Sequence, residues 1–312
     1  MNFLRKRPYL FFLAPAFVIY TLFVTYPMIS AVTISFTEWS GIGHKVFVGL
    51  RNYHEIFTNA RFYDQLVNAL KNNAIIIALN AFIVVPFQVF IAYNIYSRIK
   101  GHNLFQVVIY SPQFVLSPII YLMFILIFDQ NVGVLNSVLG FLGLGQLQKP
   151  WLGMPAYGIY FVWIMGTFAS LGVCMLFFVG AMKMLDDSTI ESAKIDGARY
   201  WYILFRIVLP QIRTTLMNIY ILTYIFSMTV FDYSFILGGG QGNAGVNNGY
   251  DVMTLLFYRI AFGSVSAMGG SFEINSMGMG TTVACLLFII VAVISFMQIR
   301  ITYKGLEGGL YQ

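Results

Sequence analysis

Charge is what this sequence has least of. Only 10% of its 312 residues are Asp, Glu, Lys or Arg, against 59% apolar, and the mean hydropathy is +0.76. So few charges cannot cover a water-soluble surface, which excludes an ordinary soluble globular domain. Cysteine is nearly absent too. Cys174 and Cys285 both lie in apolar runs, where two small buried thiols are a simpler reading than a disulfide. The histidines His44, His54 and His102 are scattered over different loops and make no metal constellation. The sequence holds no nucleophile elbow, phosphate-binding glycine loop or carboxylate pair. The chain is therefore expected to be non-catalytic and to bind no cofactor, with any energy source on another chain.

What is present is six long charge-free runs. A helix needs about 20 mostly apolar residues to cross roughly 30 Å of hydrocarbon. The runs predict membrane-spanning helices at about 9–34, 72–96, 104–128, 156–182, 214–237 and 275–299 of a single 1–312 domain. Residues 74–85 are apolar almost without interruption, unlike the alternation of a barrel strand, so the fold class is all-α integral membrane. The first run is about twice as long as a signal-peptide core and is read as a true helix. Pro86, Pro112 and Pro118 fall inside runs and predict kinks. The stretches 130–148 and 233–250 are glycine-rich and read as outer loops, with 233–237 available to lengthen the fifth helix.

Basic residues orient the bundle. With the N-terminus inside, Arg5, Lys6, Arg7, Arg98, Lys100, Lys183, Lys194, Arg199, Arg206, Arg213, Arg300 and Lys304 are cytoplasmic, which is twelve of the chain's eighteen Lys and Arg. Both termini are then cytoplasmic. The net charge of +6 is explained by lipid headgroups and needs no nucleic-acid partner.

The longest inner connection is 183–213. Ser188 followed by Glu191 suggests a capping box that starts a short helix, and Gly197 can end it in the left-handed conformation. A second helix runs from about Arg199 until Pro210 interrupts it. Apolar Ile190, Tyr200, Trp201 and Ile203 among charged neighbours suit a docking elbow.

Within this elbow, Glu191, Ser192 and Ala193 are followed by three residues, then Gly197, then nine residues, then Ile207, Val208, Leu209 and Pro210. This spacing resembles the E-A-A, G, I-x-L-P loop of permease subunits of binding-protein-dependent ABC importers, with Ser192 in place of the middle alanine. The stretches 48–57, 150–155, 195–201 and 238–244 are similar to the maltose-type carbohydrate branch. The resemblance implies a type I ABC importer permease fold with six helices in a bacterial or archaeal cell membrane, paired with a second homologous permease. It further implies two cytoplasmic ATPase subunits carrying ATP and Mg, an extracytoplasmic solute-binding protein that docks on outer loops 38–71 and 238–273, and a carbohydrate substrate. It makes Glu191, Ser192, Ala193, Gly197, Leu209 and Pro210 the ATPase-coupling residues.

The resemblance also places the sugar path on helices four and five. There Gly166, Thr167, Ser170, Tyr220, Thr223, Tyr224, Phe226 and Ser227 fit by type and depth. Tyr220, Thr223 and Ser227 share one helical face, which serves a path or helix packing equally. Asp232, the one acid inside a predicted span, either lines the path or snorkels to the outer interface. The spans hold no internal Lys or Arg, which favours a neutral sugar, an oligosaccharide in particular, over glycerol-phosphate. The rival reading is a self-contained secondary transporter or membrane-embedded enzyme, and the absence of several buried acids argues against an ion relay.

Overall fold

A computed structural model describes residues 9–263 and 276–307, with side chains from 12 to 302. The basic cluster Arg5–Arg7, the side chain of Lys304 and residues 264–273 of the second outer loop lie outside the described residues. Each apolar run forms helix. Helices α1 (Phe12–Ser35), α3 (Ala60–Tyr96), α7 (Pro155–Met182) and α13 (Met277–Glu307) are long and apolar enough to cross a bilayer. The third run is a pair, α4 (His102–Phe114) and α5 (Ser117–Phe128), bent by 104°. The fifth is α10 (Arg213–Met228) followed by α11 (Asp232–Leu237), and a shorter apolar helix, α12 (Met253–Phe262), precedes α13. Together, α10 and α11 over Arg213–Leu237 are long and apolar enough to cross as one span, so the sixfold count holds once the bent pair α4–α5 is taken as one span.

The differences from expectation have physical causes. Helix α3 begins at Ala60 rather than near 72, because charge marks where lipid ends and not where helix ends. Leu66 and Ala69 in that extension are buried while Arg61 and Lys71 are exposed. The stretch 130–148 contains a short helix, α6 (Val134–Phe141), so Gly140 does not prevent one turn after another from forming there.

Proline acts in two ways. At Pro118 the preceding Val115 and Leu116 are extended, with ψ of 128° and 141°, and Pro118 sits in the first turn of α5. That is the break. By contrast, Pro27, Pro86 and Pro210 each follow a wide π turn, at Thr21–Thr25, Asn80–Val84 and Ile203–Val208, and the helix continues through them. The π turn carries an extra residue, which moves the carbonyl that the proline ring would meet and removes the need for the missing N–H. Pro210 therefore does not interrupt the second elbow helix, which runs over residues 200–211 as α9 and is succeeded by α10.

The chain divides into two compact units, 1–66 with 256–289 and 67–255 with 290–312. In the first, α1 is followed by a small hairpin of β1 (Thr37–Glu38) and β2 (Val46–Phe47) and by α2 (Arg51–Thr58). Buried Asn52 donates to the carbonyls of Ser35 and Thr37 and so seals the end of α1. Helix α1 itself buries none of its apolar window, as expected of a helix whose solvent is lipid. In the second unit, Phe178, Met175 and Met182 of α7 pack on Val85, Val89 and Ala92 of α3. A Cβ on Gly172 would lie 2.6 Å from Tyr110 Cα, so α7 and α4 meet backbone to backbone.

Candidate functional site

The elbow lies in the second unit. Helix α8 (Asp187–Ile195) is capped by Asp186, two residues before the Ser188 capping box expected from sequence. Its carboxylate accepts from Ser188 Oγ at 2.7 Å and from Ser188 N–H at 3.0 Å, and these bonds hold it below the usual carboxylate range. At the other end Gly197 has φ of 80°, its N–H donates to Lys194 O, and Ala198 N–H donates to Ala193 O. This pair of bonds is a Schellman cap. A Cβ at Gly197 would meet no atom within 4 Å, so glycine is required by backbone conformation and not by room.

Helix α8 is anchored through buried Ile190, which joins Ile203, Leu204 and Tyr93 in one apolar cluster. Trp201 stacks on Phe90 and Phe205, and Tyr200 packs against Tyr93 with centroids 4.7 Å apart. The outward face carries Glu191, Ser192 and Ile195, the last 86% exposed. On one side, a groove of about 750 Å³ is lined by Ser192, Ala193, Gly197, Tyr202 and Arg206. On the other, Glu191 and Lys194 face Arg98, His102 and Lys183 across a polar cleft. Leu209 is half-buried and Pro210 exposed in the helix that leads on to α10.

The path residues fall into two cavities of the same unit. One, of about 490 Å³, brings together Gly166, Thr167, Ser170, Phe226, Ser227 and Asp232. The other, of about 200 Å³, takes Tyr220, Thr223, Tyr224 and again Ser227, with Gln298 of α13 opposite. In the smaller one the hydroxyls are committed to neighbouring helices, Tyr220 to Ala81 O and Tyr224 to Ile290 O, both at 3.2 Å. That is what helix packing requires.

The larger cavity is shaped by residues that sequence reasoning missed. Trp163 Nε1 donates to Asn80 Oδ1, Asn80 Nδ2 to Ser227 Oγ, and Ser227 Oγ to Thr223 O, a chain of bonds of 2.9, 2.9 and 2.7 Å. Ser117, at the start of α5, donates to Asp232 Oδ2 at 3.3 Å. Gln113 and Tyr233 complete the wall. The interruption between α10 and α11 is satisfied from α3 and the outer loop. Buried Asn73 donates to Ser227 O at 2.7 Å and accepts from Met253 N–H at 2.9 Å, and the Thr254 hydroxyl bonds Val230 O. The available signal was polarity in the wrong place, because Asn72, Asn73 and Asn80 inside an apolar run must find partners.

A multi-pass helical bundle with a capped, outward-facing elbow and an interhelical polar cavity defines the class of membrane transport subunits. Residues 89–301 match the family described as "Binding-protein-dependent transport system inner membrane component", and the chain belongs to that family. It is 30% identical over 308 residues to the "Probable ABC transporter permease protein YurN" of Bacillus subtilis, covering 96% of this chain and 97% of that one. It is 29% identical to the "Alpha-glucoside transport system permease protein AglF" of Rhizobium meliloti, over 94% and 82% of the two chains. Among solved structures, a bacterial ABC transporter involved in import of the acidic polysaccharide alginate has a chain of the same fold, with a TM-score of 0.78, 20% identity and 96% coverage of each.

Proposed function

We propose that this chain is one transmembrane half of an ATP-driven carbohydrate importer, fed by an extracytoplasmic binding protein and partnered by a second permease and two ATPase subunits. Family membership supports the transport role, and the names of several relatives, which include alpha-glucoside and arabinooligosaccharide permeases, support an oligosaccharide substrate. The observation that carries the coupling role is the elbow: a helix fixed at both ends by caps, anchored by Ile190, and presenting Glu191, Ser192 and Ile195 outward.

On this reading an ATPase binds α8 and the elbow moves as one piece. Because α9 leads through Pro210 into α10, displacement of the elbow is delivered to the helix that carries Phe226 and Ser227 and is followed by α11, which starts at Asp232. Glu191 supplies a charge for a basic group of the ATPase, Ala193 keeps the surface thin and Gly197 sets the turn, while Leu209 and Pro210 form the joint to the membrane helix.

The test is co-purification of an ATPase with the chain from solubilised native membranes. Wild type is expected to retain it, and Gly197→Pro and Glu191→Lys to lose it while inserting normally. If no ATPase accompanies wild type, the importer reading gives way to a self-contained transporter.

A further inference from the structure

The 490 Å³ cavity has a one-sided charge. Asp232 is the sole ionisable carboxylate among its lining residues, and no Lys, Arg or His lines it. The carboxylate is held from one side by Ser117 Oγ, at 3.3 Å on Oδ2. The rings of Trp163, Phe226 and Tyr233 supply apolar walls around these polar points.

We infer that this cavity selects its cargo by charge: it accepts neutral or amine-bearing polyhydroxyl compounds through Asp232, and rejects uronates and phosphorylated sugars. The inference rests on the importer reading for the word cargo, though not for the electrostatics. A carboxylate accepts two neighbouring hydroxyls or an ammonium group equally well, since both present donors. An anionic substrate meets a like charge and has no compensating cation in the lining to bind. Ser117 lies in the first turn of α5, just past the 104° bend, so the break in the third span is what brings a donor to the acid.

The electrostatics can be read without knowing the sugar. Ser170 is exposed and lines the cavity, so Ser170→Cys, in a chain also carrying Cys174→Ser and Cys285→Ser, places one reporter thiol there. In native membranes, its rate of modification by trimethylammonium-ethyl methanethiosulfonate is compared with that by the sulfonatoethyl reagent, each normalised to a free thiol. The cation is expected to react faster by about tenfold. Asp232→Asn should bring the ratio close to one, and Asp232→Glu should keep it high. A ratio near one in the parent, a ratio that Asp232→Asn leaves unchanged, or a thiol that neither reagent reaches would each overturn the proposal. A cation preference abolished by Asp232→Asn supports it even where no ATPase is retained, so its fate is separable from that of the importer reading.

Discussion

The elbow and the cavity are built on opposite principles. The elbow is made from about 25 consecutive residues, its ends are closed by bonds to near neighbours, and its functional side chains point away from the protein. The cavity is lined by residues from Ile76 to Tyr233, held by side-chain bonds between segments more than 80 residues apart, and its functional groups point inward. The elbow therefore depends on conformational propensity, whereas the cavity depends on whether distant helices reach the right separation. A defect in the first should be local, and a defect in the second should spread.

The largest effect should come from the contact that sets helix separation. Gly172→Val places a side chain against Tyr110 Cα and Ile109 O, at 2.6 and 2.7 Å from Cβ, and should destabilise the bundle by about 3 kcal/mol or more. Fluorescence-detected size exclusion in detergent should show a shifted or aggregated species. Next comes Asn73→Ala, which strands Ser227 O and Met253 N–H together and should cost about 2–3 kcal/mol. It should lower the temperature midpoint of aggregation and, if the cavity depends on the clamp, also change labelling at Ser170→Cys.

On the elbow, Gly197→Ala should cost about 1–2 kcal/mol from the left-handed backbone alone. Limited proteolysis near 197 should rise while the size-exclusion profile stays normal; a global unfolding would break the contrast. The smallest effect is the cap. Asp186 is held below the usual carboxylate range by Ser188, so its contribution is complete above the unfolded-chain value and is lost as pH falls through the lower folded value, below about pH 4. Cleavage of the elbow should therefore increase on acidification in wild type, stay flat in Asp186→Asn, which caps without titrating, and be raised at every pH in Asp186→Ala.

This contrast also explains what could be read from the residues. Gly197 follows from short-range rules and was legible; Ile190 and Ile203, expected on the docking surface, are instead buried as anchors, because their partners on α3 are distant in sequence. The start at Asp186 was displaced because two oxygen-bearing side chains two residues apart compete for one cap. Thr167, Ser170, Phe226, Ser227 and Asp232 were chosen by type, and the fold gathers them, yet Tyr220, Thr223 and Tyr224 turn toward a different cavity because one helix has more than one polar face. Ser117 and Gln113 were out of reach, since nothing in a charge-free run tells how sharply Pro118 bends it. Asn73 and Asn80 were readable as polar groups needing partners, but their partners lie about 150 residues away.

The wide turns ahead of Pro27, Pro86 and Pro210 have a consequence for the count of residues in a membrane helix. A π turn occupies the space of a one-residue insertion, so the helix has slack at that point and nowhere else. Deleting one residue within 80–84 would let the turn close to regular pitch with both flanks in place, and would return Pro86 to conflict with the carbonyl four residues back. Deleting one residue within the regular helix that follows would instead turn everything beyond it by about 100°, carrying the packed side out of register with its partners. Length is forgiving along such a helix, and phase is forgiving at its wide turn.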